Sequence, residues 1–268
     1  FLARLQGPVQ GNVLLRRAQY RDADNPERTL MLAKCCVAAK IQNQRTVLLR
    51  HLRNHPDGEG ESEIRTALAA MENSLNSARN CSDLGILRGI EGAAAEEYFA
   101  VFDYMVLVPG PDFRFHSRSR RPPMDRINAL LSYAYSILAL DMRSALEAVG
   151  LDPYVGYLHA ERPGRPSLAL DLMEEFRAPI ADRLVLSLVN MRQVSASCFK
   201  IKPSGEVEMD DETRKALLAA WQKRKREEIY HPFFEENMET GIVYISQARL
   251  LARYFRGELD FYPAFIWR

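Results

Sequence analysis

The sequence predicts a mainly α-helical protein, a multi-helix domain carrying one small β-hairpin. Three observations predict it. Apolar residues recur at helical spacing through most of the chain, clusters of Pro, Gly and Asn fall between those runs, and one segment, Phe199 to Met209, alternates around Pro203-Ser204-Gly205 as a strand pair does.

The strand-like Phe1-Leu2-Ala3-Arg4-Leu5 precedes a turn marked by Gly7-Pro8 and Gly11-Asn12, and Val13 to Tyr20 is arginine-rich and helix-compatible. Asn25-Pro26 opens a long helix to about His51, because Pro fits a first helical turn. Its apolar face runs through Leu30, Leu32, Ala33, Cys36, Val37, Ala39, Ile41, Val47 and Leu48. After the loop His55-Pro56-Asp57-Gly58-Glu59-Gly60, Ser62 is expected to cap a helix to Asn80 with Ile64, Leu68, Met71 and Leu75 inward. A third helix runs from Asp83 to Met105 and stops before Pro109-Gly110-Pro111. A basic loop holding Arg114, His116, Arg118, Arg120 and Arg121, kept extended by Pro122-Pro123, leads into a buried helix from Asp125 to Val149, with Gly150 at its end. Residues 151–170 are loop-rich and precede a helix from Ser167 to about Arg192. Beyond the hairpin, helices resume at Asp211, His231-Pro232 breaks them, and Thr240 to Phe255 forms the last.

At 268 residues and 47% hydrophobic, the chain has material for a large core, and 36 Lys and Arg against 35 Asp and Glu leave a polyanionic partner neither demanded nor excluded. Cys35, Cys36, Cys81 and Cys198 have no CxxC spacing, which suits neither a zinc site nor a disulfide framework, so the expected compartment is a reducing cytoplasm. No run approaches the roughly 18 apolar residues of a membrane span, and no membrane partner is expected. A chain that starts on a strand-like Phe1 reads as continuing from an upstream part.

Asp171, Glu174 and Glu175 stand at i, i+3 and i+4, so on a helix they share a side and repel unless a cation intervenes. A solvated acidic face is the commoner origin of such a triplet, and His159 just upstream is as readily a hydrogen-bonded loop histidine as a ligand. Glu91 lies between Gly89 and Gly92; two helical glycines at a cost of about 1 kcal/mol each point to close packing or access at that carboxylate.

Four segments in order carry a resemblance: Gly89-Ile90-Glu91-Gly92-Ala93-Ala94, Arg121-Pro122-Pro123-Met124-Asp125-Arg126-Ile127-Asn128-Ala129-Leu130-Leu131-Ser132, Gly156-Tyr157-Leu158-His159, and Asp171-Leu172-Met173-Glu174-Glu175-Phe176-Arg177. Together they resemble the catalytic lobe of the CRISPR-associated spacer-acquisition integrases, over nearly the whole chain to Tyr262-Pro263. The resemblance implies Glu91, His159 and Glu174 as catalytic metal ligands for Mg²⁺ or Mn²⁺, with Asp171 orienting a ligand behind them. It implies that residues 1–12 end an N-terminal β lobe or linker and 13–268 form the helical catalytic domain. The implied activity is metal-dependent joining of DNA 3′-hydroxyl ends into a CRISPR array; a DNA-binding scaffold without chemistry is the alternative. The implied partners are double-stranded DNA (incoming spacer and repeat), a second copy of the chain, a small adaptation-partner dimer, and an end-trimming nuclease fused or bound upstream.

DNA phosphates are expected on Arg118, Arg120, Arg121 and Arg126 of the basic stretch and on Arg88, Arg162, Arg165 and Arg177 near the ligands, although a solvated surface role competes for each. Asn128, with Arg126, can instead brace the site, and Lys223 to Arg226 is a solvated helix face or a distal DNA contact.

Overall fold

The computed structural model describes residues 13–268, so the strand expected at Phe1 to Leu5 and the lobe boundary at residue 12 lie outside the described residues. The described elements are helices α1 (Val13–Ala23), α2 (Pro26–Asn54), α3 (Glu61–Asn80), α4 (Leu84–Ala100), α5 (Arg126–Ala148), α6 (Ser167–Phe176), α7 (Arg183–Asn190), α8 (Asp211–Arg226) and α9 (Thr240–Phe255). Strands β1 (Phe199–Ile201) and β2 (Val207–Met209) form one antiparallel hairpin, and β3 (Glu228–His231) and β4 (Glu236–Glu239) a second. The architecture is mainly α, as the periodicity predicts.

The central rod is α2, capped by Asn25, whose side chain accepts from the Glu27 and Arg28 amides, with Pro26 in its first turn. It packs on α1, α3, α4 and α6, while α5 packs on α6 and α9. Its inward stripe is apolar at Leu32, Ala33, Cys36, Val37, Ile41, Val47 and Leu48, yet Lys40, Asn43 and Gln44 are buried in the same stripe. Lys40 reaches carboxylates of α4 and α6, and Asn43 a carbonyl at the end of α6. No described helix is long and apolar enough to cross a membrane.

Four expectations need correction. Ser62 does not cap α3: the cap is Gly60 at φ +78°, a backbone conformation that glycine adopts without strain, and Ser62 lies inside the helix. The third helix ends at Ala100 and finishes as a short 3₁₀ turn, Phe102–Met105. His231-Pro232 does not simply break a helix but sits at the turn of the β3/β4 hairpin, which sequence alternation is too short to reveal. The helix expected from Ser167 to Arg192 is two helices joined by a π-helical segment, Arg177–Asp182. Pro179 explains this: it has no N–H for the carbonyl of Glu175, which instead accepts from Asn43 Nδ2 at 2.7 Å.

The same asparagine ties down the C-terminal segment, donating to the Phe265 carbonyl at 2.8 Å and accepting from the Trp267 amide at 2.8 Å. Glu175, fully buried, completes the strap by accepting from Tyr262 Oη, the Phe265 amide and Gln247 Nε2. The third residue of the acidic triplet is therefore a structural carboxylate.

Asp182 closes the π segment from below, accepting from Tyr98 Oη at 3.1 Å and Tyr135 Oη at 2.6 Å, so it clamps α4 and α5 together. Burial pushes its carboxyl up from 3.8 to about 6, the tyrosines and the arginines Arg177 and Arg118 only partly offsetting it. A carboxyl raised in the fold stabilises most where it is protonated, and that contribution is lost as pH rises from about 4 to about 6. Relative to Asp182→Asn, wild-type stability in urea unfolding should therefore fall across that window by up to about 3 kcal/mol. Parallel pH profiles for the two proteins would show that Asp182 is already ionised in the fold.

Candidate metal centre

Three elements converge on the inward face of α2. Helix α4, capped by the Asp83 side chain, brings Glu91; the loop before α6 brings His159; and α6 brings Asp171 and Glu174. The ammonium of Lys40 stands among them, paired with Glu91 Oε1 and lying 2.8 Å from Glu174 Oε2. Glu174 is further held by Arg177 at 2.9 Å, and His159 Nε2 lies 3.9 Å from Glu174 Oε1.

Asp171 organises the loop. Buried at 1% exposure, it accepts from the backbone amides of Tyr157, Leu158 and His159 at 2.6, 3.0 and 2.9 Å, and its Oδ1 meets His159 Nδ1 at 2.7 Å. A carboxylate at Nδ1 fixes the proton there and leaves the Nε2 lone pair facing Glu174. Arg88 fastens this loop to α4 by donating to the Leu158 carbonyl at 2.6 Å, which sets Glu91 and His159 relative to each other.

Burial alone would raise the Glu174 carboxyl, but Arg177, Lys40 and His159 outweigh it and hold it well below the usual carboxylate range. Arg177 stays charged although burial opposes it, because Glu174 and the Tyr135 ring, 4.7 Å from its guanidinium, favour the cation. The centre thus keeps Glu174 ionised although it is buried.

Among the described residues, no three of His, Cys, Asp and Glu are gathered closely enough to grip an ion as the side chains now stand. The donor set nevertheless fits a divalent cation. Two carboxylates and a free imidazole nitrogen meet at one place, and Glu174 Oε2 is buried without a hydrogen bond, in contact only with the charge of Lys40. Its ammonium stands between the Glu91 and Glu174 carboxylates, where a metal ion would be attracted in the same way.

Of the two readings of the flanking glycines, packing or access, the space around them favours access. A Cβ at Gly89 or Gly92 would meet nothing within 4 Å, so they do not seat another helix; they leave open space over α4 beside half-buried Glu91. That is access to the carboxylate rather than packing against it.

The candidate DNA contacts divide. Arg120, Arg121 and Arg162 are exposed and Arg165 half-buried, and among the described residues none of the four forms an ion pair. Arg118 is turned inward: its guanidinium reaches Asn128 Oδ1 at 2.6 Å and Ser132 Oγ at 3.2 Å and lies over the Tyr135 ring. This corrects its reading as a free phosphate contact. Arg126 is spent on Asp112 through the carbonyl at 2.7 Å, Arg88 on the Leu158 loop and Arg177 on Glu174. Asn128 braces the basic loop, accepting from the Ser119 amide and donating to the Ser117 carbonyl, rather than supporting the carboxylates.

Sequence reasoning missed Lys40. Its signal was present, since a lysine in the apolar stripe of a long helix, between Ala39 and Ile41, needs a buried acid to pair with.

Residues 1–223 match the family described as CRISPR associated protein Cas1. The chain is 52% identical over its full length to "CRISPR-associated endonuclease Cas1 1" of Chlorobaculum tepidum, covering 78% of that protein. It is 40% identical over 96% of its length to a "CRISPR-associated exonuclease Cas4/endonuclease Cas1 fusion" of Geobacter sulfurreducens, covering 46% of that longer protein. Among solved structures it is similar to a Cas1 protein from Thermotoga maritima, with a TM-score of 0.78 and 28% identity, covering 97% of this chain and 75% of that one.

Proposed function

From a chain that belongs to the Cas1 family, we propose a metal-dependent DNA endonuclease and integrase that joins the 3′-hydroxyl ends of new spacers into a CRISPR array by transesterification. The observation that carries this reading is the convergence of Glu91, His159 and Glu174 around one buried cation, Lys40, beneath an open stretch of α4.

In this reading Glu91, Glu174 and His159 Nε2 hold Mg²⁺ or Mn²⁺, a mixed oxygen and nitrogen set that both ions accept. When bound, the ion would activate the attacking hydroxyl and neutralise charge on the phosphoryl oxygens. Asp171 keeps His159 in the tautomer that presents Nε2, and Arg177 keeps Glu174 ionised. The reaction forms one P–O bond as another breaks, so orientation and charge stabilisation are what these residues must provide. Arg120, Arg121, Arg162 and Arg165, which form no ion pair among the described residues, would hold the DNA backbone.

The partners proposed are double-stranded DNA, a second copy of the chain and the small adaptation-partner dimer. The fused exonuclease named in the Geobacter relative supports an end-trimming nuclease upstream. The test is joining of a labelled duplex with free 3′ ends to a repeat-containing DNA. Joining should require Mg²⁺ or Mn²⁺ and stop with EDTA. Salt-sensitive DNA binding without joining under any divalent metal would leave the scaffold as the better account.

A further inference from the structure

Away from the carboxylates, guanidiniums from two helices lie over one indole, and a third arginine stands beside them. Arg50, near the end of α2, and Arg183, first residue of α7, lie over the Trp267 ring at 3.8 and 4.2 Å from its centroid. Arg224, in the last turn of α8, is close enough to act on Arg183 electrostatically. All three are half-buried, and Trp267 itself is buried.

Stacking one arginine on tryptophan is favourable and explains one of these contacts. It does not explain a second and third like charge at the same place. Arg183 forms no ion pair among the described residues and has one long hydrogen bond, to the Pro179 carbonyl at 3.4 Å. Arg224 faces a single carboxylate, Glu227, at 3.3 Å, and its Nε is buried without a hydrogen bond. Burial, with the repulsion of Arg224 and Arg50, pushes Arg183 down to about 10. Arg50 donates to the Arg268 carbonyl and Glu227 offsets part of the repulsion on Arg183, yet one carboxylate serves both Arg183 and Arg224, and an anion would relieve the rest.

We propose that Arg50, Arg183 and Arg224 form a binding site for the phosphate backbone of nucleic acid, remote from the candidate metal centre. A polyanion fits better than a lone carboxylate, because the exposed Arg53, Lys223 and Arg226 flank the cluster in sequence and a repeating phosphate backbone can meet several of these cations at once. The inference rests on the reading that the substrate is DNA.

The test is the salt dependence of duplex DNA binding by the full chain, read by fluorescence anisotropy. Arg183→Gln with Arg224→Gln should lower the slope of log K against log salt by about two, since each lost phosphate contact removes about 0.9. Arg224→Gln alone, which leaves the Trp267 stack in place, should lower it by about one, and the Arg183→Lys, Arg224→Lys pair should keep it. A wild type that binds DNA while both Gln variants keep its slope overturns this site alone and points to an acidic protein surface as its ligand. A wild type that does not bind DNA overturns the DNA reading of the whole chain and this site with it.

Discussion

Glu174→Ala should reduce metal-dependent strand joining on the order of a thousandfold or more, with His159→Ala and Glu91→Ala close behind. Glu174 ranks first because it meets three other members of the centre: Lys40 at 2.8 Å, Arg177 at 2.9 Å and His159 at 3.9 Å. Asp171→Asn should cost less, roughly 10- to 100-fold, because it loosens the grip on His159 without deleting a donor to the ion. Glu175→Ala is the contrasting control. It unfastens the C-terminal strap by removing the acceptor for Tyr262, Phe265 and Gln247, so its effect should be read in thermal stability. The measurement is single-turnover joining at saturating Mn²⁺, with circular dichroism to confirm the fold. Near-normal joining by Glu174→Ala, or complete loss in a fully folded Glu175→Ala, would show that the wrong carboxylate of the pair was assigned.

The separation of Glu174 from Glu175 shows how much of the site was legible in the sequence. Spacing puts Asp171, Glu174 and Glu175 on one side of a helix, and only the resemblance picked Glu174. The chain resolves the ambiguity through tertiary partners that no local pattern encodes: Lys40 and Arg177 for Glu174, the C-terminal segment for Glu175. Helices were legible because their apolar period and their Asn25, Asp83 and Asp125 caps are local signals. The π segment was not, because it depends on Asn43 taking over a carbonyl that Pro179 abandons 132 residues away. The arginines failed for a related reason. Their sequence positions are equivalent, but Arg118 finds Asn128 and Tyr135 in the core while Arg120 and Arg121 find solvent. Net charge cannot distinguish a cation that braces a loop from one that waits for a phosphate.

Lys40→Met should destabilise the metal-free protein by about 3 kcal/mol, and a divalent cation should restore much of that loss. Removing one partner of a buried ion pair leaves the other charge uncompensated, which costs about 3–5 kcal/mol. Arg177 still faces Glu174, so the lower end applies. The remaining repulsion between Glu91 and Glu174 is what a divalent ion would neutralise, and the ion would no longer need to displace an ammonium from between them. Metal should therefore raise the Tm of Lys40→Met by more than it raises that of wild type, and direct titration should show tighter Mn²⁺ binding in the variant. The readout is thermal unfolding with EDTA and with Mn²⁺, independent of any DNA chemistry. The Glu174→Ala, Lys40→Met double variant supplies the control: with one carboxylate also gone, most of the metal-induced stabilisation should disappear. If Lys40→Met is as stable as wild type without metal, the ammonium is not what holds the two carboxylates together. If it is destabilised and no divalent ion rescues it, the pair does not form a metal site and Lys40 is a structural cation alone.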